Sequence, residues 1–131
     1  IMIKSIIPHI DFLSIGTNDL TQYILAVDRS NSDMEYLYCQ YHPAILQMIK
    51  NIVDVAKRNS TKLTICGEMV NNREFIKLLL GLGIENFSLA PNNIISFKKL
   101  LNEMDYKKSK DLAAKAIEAD SIEKIKILFK N

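Results

Sequence analysis

The sequence is poor in several residue types, and each shortage argues against a class of protein. It has only two cysteines, Cys39 and Cys66, so neither a disulfide framework nor a zinc site is indicated. Four glycines and three prolines are too few for a low-complexity or disordered chain. No apolar run approaches the ~20 residues of a membrane span, and the N-terminus has no signal-peptide layout. We therefore expect a folded cytoplasmic domain that does not insert into a membrane.

The charge of the chain is nearly balanced. Seventeen lysines and arginines against fifteen acidic residues leave a formal charge of +2, so we expect no nucleic-acid partner. With 131 residues, 48% of them hydrophobic, the chain is long enough for one domain with its own core. It starts in helical sequence with no capping residue before Ile1, and we therefore expect it to be part of a longer protein.

Three short apolar runs alternate with helical patterns. This alternation predicts successive βαβ units and a parallel sheet, either a small open sheet or the last part of a larger barrel. We expect Asn71 to cap the helix that follows the second strand, and this helix to stop near Gly81. The predicted strands cover about 11–15, 62–66 and 86–89, and the predicted helices cover 20–27, 43–57, 71–81, a segment from Pro91, and two C-terminal helices within about 105–130.

Polar residues follow the first two predicted strands. Asn18 and Asp19 come just after Gly16, and the second strand delivers Cys66 and Glu68. Parallel α/β proteins place their catalytic groups at this carboxyl end of the sheet. Asp19 is either a ligand of a hard cation such as Mg²⁺ or a cap of the helix from residue 20.

Two further side chains allow both a functional and a structural interpretation. The planar guanidinium of Arg29 suits a phosphate or carboxylate, but it could equally pair with Asp28 or Asp33. The thiol of Cys66 can act as a nucleophile or general acid, or it can be a small buried core residue. The pattern alone does not decide between these roles.

Four segments together resemble one family. They are SIGTNDLTQYILAVDRSN, YHPAILQMIK, ICGEM and LLLGLGIENFSLAP, and they occur in the order of the phosphoenolpyruvate–protein phosphotransferases, called Enzyme I. The resemblance implies that residues 1–131 are an α/β fragment. It corresponds to the C-terminal portion, about three βα units, of a phosphoenolpyruvate-binding (β/α)8 barrel with extra C-terminal helices.

The resemblance also implies a role for four residues. Asn18 would contact phosphoenolpyruvate (PEP), and Arg29 would grip its phosphate. Asp19 would be one of two carboxylate ligands of Mg²⁺, the other being a Glu upstream of this chain. Cys66 would be the proton donor that converts enolpyruvate to pyruvate.

The implied activity is transfer of the PEP phosphoryl group to a protein histidine, the first step of sugar uptake by the phosphotransferase system. The implied partners are a histidine-containing phosphocarrier protein, bound through a missing N-terminal domain, and a second copy of the parent. Neither His9 nor His42 is the expected phosphoacceptor, and His42 can help to cap the helix from Pro43. We therefore expect the fragment alone to be inactive.

Two alternatives stay open at this point. One is an enzyme like pyruvate phosphate dikinase or PEP synthase, which shares the GTNDLTQ and CGE motifs and would use a nucleotide. The other is a dimerisation module without catalysis.

Overall fold

The computed structural model describes residues 1–130 as a mixed α/β fold with seven α-helices and one small sheet. Short 3-10 helices lie at Ile7–His9, Ser32–Leu37, Glu68–Asn71 and Pro91–Asn93. Within this range, no helix has both the length and the apolar character needed to cross a membrane. In chain order the main elements are α1 (Ile3–Ile6), β1 (Phe12–Gly16), α2 (Thr17–Leu25), α3 (Pro43–Arg58), β2 (Lys62–Cys66), α4 (Arg73–Leu82), β3 (Asn86–Phe87), α5 (Ile94–Asn102), α6 (Tyr106–Glu118) and α7 (Ile122–Lys130).

The three strands form a parallel sheet in the order β1-β2-β3, which confirms the predicted parallel arrangement. The pairing of β1 with β2 runs from Phe12 opposite Lys62 to Gly16 opposite Cys66, so the two strands end at the same level. The third strand is shorter than predicted: it holds only two residues, although the backbone N–H of Ser88 still donates to the carbonyl of Ile65 at 2.8 Å.

The core lies between the sheet and the helices α3, α4, α6 and α7. One apolar stripe of α3 is buried, with Ile45, Leu46, Ile49 and Val53 fully inaccessible to solvent. Burying an aliphatic side chain of this size contributes roughly 1.5–3 kcal/mol, so this stripe is a main source of stability. Pro43 occupies the first turn of α3, as predicted, because its missing N–H has no partner at that position anyway.

The ends of α4 differ from the prediction by one or two residues. The cap is Asn72 rather than Asn71, since its Oδ1 accepts from the backbone N–H groups of Glu74 at 2.9 Å and Phe75 at 3.2 Å. The helix continues through Gly81 and stops at Gly83, whose φ of 97° is the left-handed conformation of a C-terminal cap. Two glycines lie near this helix end, and only the second is the stop.

Gly81 serves the contact between α4 and α6. A Cβ atom at this position would lie 1.9 Å from the carbonyl oxygen of Ser109 and 2.7 Å from the Cβ of Ala113. The backbone of α6 therefore occupies the space that a side chain would need. The glycine that looked like a helix stop is required by packing between two helices.

Polar side chains cap both C-terminal helices. Asp105 caps α6, with its Oδ1 accepting from the backbone N–H groups of Lys107 at 2.8 Å and Lys108 at 3.1 Å. Ser109 is instead buried within α6. The hydroxyl of Ser121 accepts from the backbone N–H of Lys124 at 3.3 Å, at the start of α7.

The Gly81 contact leads to a prediction for stability. Alanine in a helix interior is normally favoured over glycine by about 1 kcal/mol. In Gly81→Ala, however, overlap with the backbone of α6 should reverse the sign and destabilise the fold by about 1–3 kcal/mol. The free energy of unfolding from urea titration measures this. The matched control is Gly16→Ala, where the nearest atom would be 3.9 Å away, and a stability loss equal to that of Gly81→Ala would contradict the packing argument.

Candidate active site at the carboxyl end of the sheet

The first part of the site is the turn that joins β1 to α2. The helix begins at Thr17, three residues earlier than predicted, so Asn18 and Asp19 lie in its first turn. The alternative in which Asp19 caps a helix starting at residue 20 is therefore wrong. The Asp19 carboxylate is exposed and makes no hydrogen bond or ion pair with the part of the chain that the structure describes. A carboxylate so placed can bind a cation.

The second part is the loop after β2. Cys66 is the last residue of this strand and lies opposite Gly16 in the sheet register. Neighbouring strands are about 4.8 Å apart, so the loop that starts at Cys66 lies directly beside the turn that carries Asn18 and Asp19. The predicted meeting of these residues at one edge of the sheet is what the structure contains.

The two loops touch at Thr17 and Gly67. The Thr17 hydroxyl, which is fully buried, donates to the carbonyl of Cys66 at 3.1 Å. Gly67 has a φ of 111°, and a Cβ atom there would lie 2.3 Å from the Thr17 hydroxyl oxygen. Only glycine fits this backbone conformation and this close approach. The position of Cys66 is thus set by contact between the loops as well as by the strand.

Asn18 links the same two loops. Its Oδ1 accepts from the backbone N–H of Glu68 at 3.1 Å and from Nε2 of Gln40 at 3.0 Å. Gln40 lies just before α3 and is almost completely buried. Sequence reasoning missed Gln40, because a glutamine in an irregular segment 22 residues away carries no pattern that connects it to Asn18.

Arg29 reaches the site from the segment after α2. Its Nη1 donates to Oε1 of Glu68 at 3.2 Å, so the ion pair is with Glu68 rather than with the predicted Asp28 or Asp33. Asp28 is engaged by the hydroxyl and backbone N–H of Ser30, at 2.7 and 2.8 Å, and these hydrogen bonds hold its pKa below the usual value.

The pair between Arg29 and Glu68 is weak enough to be exchanged. Both side chains are about half exposed, and ion pairs of this kind contribute about 0–1 kcal/mol. An incoming phosphate, with more charge than a carboxylate, can compete for the guanidinium. The ion pair holds the Arg29 guanidinium near the end of the sheet without fully neutralising its charge.

The two thiols are in different environments. Cys66 is partly exposed, and its Sγ–H donates to the carbonyl of Ile15 at 3.6 Å, a bond that only the protonated thiol can make. Cys39 is buried, and this burial raises the pKa of its thiol. Of the two, Cys66 is the one placed to exchange a proton with a molecule bound at the sheet edge.

The two histidines are outside this arrangement of contacts. Nδ1 of His42 accepts from the backbone N–H of Ala44 at 3.1 Å, which confirms its capping of α3. His9 lies in the short 3-10 helix before β1. Within residues 1–130, no three His, Cys, Asp or Glu side chains come together as a metal site.

Comparison with known proteins gives the site a context. The family model described as PEP-utilising enzyme, PEP-binding domain, matches residues 1–106. The chain is 40% identical over 118 residues to the phosphoenolpyruvate-protein phosphotransferase of Enterococcus faecalis, covering 89% of this chain and 20% of the relative. It is 37% identical over 125 residues to the protein of that name in Buchnera aphidicola, covering 95% of this chain and 22% of the relative.

The relative from Lactococcus lactis, also named phosphoenolpyruvate-protein phosphotransferase, is 38% identical over 109 residues, which are 83% of this chain and 19% of the relative. The chain thus spans about a fifth of the length of these curated relatives. Because the family model covers residues 1–106, well over half of the sequence, the chain belongs to the PEP-binding domain family of the PEP-utilising enzymes.

Proposed function

We propose that this chain forms the C-terminal part of the PEP-binding barrel of a phosphoenolpyruvate–protein phosphotransferase. Such an enzyme moves the phosphoryl group of PEP to a protein histidine and releases pyruvate. The observation that carries the proposal is the register of β1 and β2. It brings Asn18 and Asp19 to the same sheet edge as Cys66, beside the Arg29 guanidinium.

The open sheet supports the proposal that residues 1–131 are the last portion of a (β/α)8 barrel. Strand β1 is at the edge of the sheet and leaves one row of its backbone groups without a strand partner among the described residues. Apolar side chains beside it are exposed, including Phe12 at 67% and Tyr23 at 87%. Exposed edges and apolar patches of this kind are normally covered, and further barrel strands would cover them.

In the proposed reaction, Asn18 and Arg29 bind the substrate. The guanidinium of Arg29 leaves Glu68 and takes the phosphate of PEP with two parallel hydrogen bonds. The amide of Asn18 contacts the substrate as a neutral hydrogen-bond partner. Phosphoryl transfer depends mainly on positioning and charge neutralisation, which these side chains provide.

Asp19 would hold Mg²⁺. Its exposed carboxylate, free of partners among the described residues, has the hard oxygen donors that this ion prefers. One carboxylate is not a complete site, so the remaining ligands would be substrate oxygens, water and a Glu from another part of the protein. When bound, the ion would neutralise phosphate charge.

Cys66 would supply the proton that completes the reaction. The P–O bond of PEP breaks as a P–N bond to the histidine forms, and the electron pair stays on the enolate of pyruvate. The Cys66 thiol then transfers its proton to carbon 3 of the enolate, which gives pyruvate and a thiolate. Protonation by a positioned acid is general acid catalysis.

The partners follow from this reaction. The acceptor histidine would lie outside residues 1–131, and His42 of this chain is engaged in capping α3. The phosphocarrier protein, which receives the phosphoryl group next, would also bind outside these residues. We also propose that the parent works as a homodimer in the cytoplasm. The isolated chain should not turn over.

The role of Cys66 gives the first activity prediction. A hybrid in which this chain replaces the matching segment of the Enterococcus faecalis relative should release pyruvate from PEP in the presence of Mg²⁺ and the phosphocarrier protein. Cys66→Ala in the hybrid should lower this rate about 10²- to 10⁴-fold, because the proton donor is lost. Coupled detection of pyruvate measures it.

Cys39→Ala is the matched control, since it removes the other thiol and should leave the rate within about twofold. Unchanged pyruvate release in the Cys66 variant would exclude Cys66 as the proton donor. Pyruvate release by the full-length parent of this chain with AMP and pyrophosphate, instead of the phosphocarrier protein, would point to a dikinase-like enzyme.

A labelling experiment on the same hybrid gives the next prediction. The thiolate is the form that iodoacetamide attacks, so the raised pKa of Cys39 lowers its reactive fraction at pH 8, and burial hinders access. Cys66 should therefore be alkylated first, and PEP with Mg²⁺ should slow its reaction without affecting Cys39. Mass spectrometry of the peptides follows both sites. Equal rates with and without PEP would count against binding at Cys66.

A further inference from the structure

The side chain of Asn18, the proposed substrate contact, is held by hydrogen bonds from other parts of the fold. Nε2 of Gln40 donates to Oδ1 of Asn18 at 3.0 Å and is also 3.2 Å from the hydroxyl oxygen of Tyr38. The backbone N–H of Glu68 donates to the same Asn18 oxygen at 3.1 Å. Two donors from separate parts of the fold thus converge on one carbonyl oxygen.

The orientation of the Asn18 amide follows from these contacts. A backbone N–H can only donate, so the atom of Asn18 that faces Glu68 must be the oxygen. The atom of Gln40 that faces this oxygen must then be the nitrogen. The Nδ2 group of Asn18 is consequently turned away from both donors, and it makes no hydrogen bond with the side chains and backbone that the structure describes. It is a donor without an internal acceptor.

Gln40 itself is firmly held. Its exposed fraction is 8%, and a buried amide without partners would cost free energy, so it is kept where its two contacts are made. The next residue, Tyr41, packs its ring against Phe75 of α4 at 5.3 Å and Phe129 of α7 at 5.6 Å between centroids. The backbone beside Gln40 is therefore anchored to the hydrophobic core.

We infer that Gln40 is a positioning residue for substrate binding. By holding Oδ1 of Asn18, it keeps Nδ2 directed outward as a donor for an oxygen of the PEP anion. Without the Gln40 donor, only the backbone N–H of Glu68 would hold the amide. The amide would then turn its carbonyl oxygen outward more often, and this oxygen would repel an anion. The inference rests on the proposed function, and it names the residue that gives Asn18 its donor character.

The binding test uses the hybrid with the Enterococcus faecalis relative described above, because the hybrid supplies the parts of the proposed site that lie outside this chain. The probe is PEP with Mg²⁺. Gln40→Met keeps the length of the side chain but removes the donor, and it should weaken PEP binding roughly two- to tenfold, as expected for one hydrogen bond. Gln47→Met is the matched control. Gln47→Met likewise removes a side-chain amide donor, here the Nε2 that donates to the backbone carbonyl of Ile117 at 3.1 Å. This contact joins α3 to α6, so its loss should leave PEP affinity unchanged.

A spectroscopic readout separates orientation from packing. Gln40→Glu keeps the size of the side chain but places a carboxylate oxygen, which is an acceptor, opposite Oδ1 of Asn18. The Asn18 amide should therefore flip so that its Nδ2 faces the carboxylate. The backbone N–H of Glu68 should then lose its acceptor. Nitrogen-15 NMR should then show faster hydrogen exchange of the Glu68 amide and shifted Asn18 side-chain signals. A glutamine that serves only as packing would leave both unchanged.

Each outcome decides the inference. Weaker PEP binding in Gln40→Met but not in Gln47→Met, with the NMR change in Gln40→Glu, supports it. Equal PEP affinity of the wild type and Gln40→Met overturns it and leaves the proposed function intact. If the hybrid that carries the unchanged chain does not bind PEP, the proposed function fails, and the NMR signature of the 131-residue chain then upholds or rejects the control of Asn18 by Gln40.

Discussion

The close approach of Thr17 and Gly67 is the constraint on which the candidate site depends. A single added carbon atom at Gly67 would come within 2.3 Å of the Thr17 hydroxyl oxygen, so the two loops are in direct contact. This contact lets the Thr17 hydroxyl reach the carbonyl of Cys66 and lets the Glu68 amide reach Asn18. A side chain at Gly67 would separate the loops and break both hydrogen bonds. Backbone geometry at one residue therefore positions the proposed proton donor and the proposed substrate contact together.

Charge is distributed at this edge in a way that suits an anion held with a cation. Asp19 offers a carboxylate without an internal partner among the described residues, while Arg29 offers a guanidinium in a weak, half-exposed pair with Glu68. Asn18 links the two loops through its neutral side-chain amide. Strong pairing of Arg29 would make phosphate binding costly, since the pair would have to be broken first. Partial exposure avoids this cost, and neutral hydrogen bonds between the loops position Asn18 and Cys66.

Much of the fold could be predicted because its determinants are local. The apolar stripe of α3, the proline at its start and the cap from His42 each act within one or two helical turns. The predictions were wrong where contacts with distant parts of the chain determine the local structure. Gly81 reads as a helix stop, but it remains helical because α6 occupies the space of its side chain. Asn71 and Asn72 are both good caps, and only the path of the chain selects Asn72.

The same division applies to the site. The sequence by itself determined where the first two strands end, to within one residue, and which residue types follow them, because hydrophobic runs and turn residues act on their immediate neighbours. It therefore placed Asn18, Asp19 and Cys66 at one edge of a parallel sheet. Only the tertiary structure decided that Arg29 pairs with Glu68, 39 residues away, and that Gln40 holds Asn18. Each of these contacts contributes about 1 kcal/mol, too little to leave a pattern in the sequence, and each forms because the packed core has already brought its partners together.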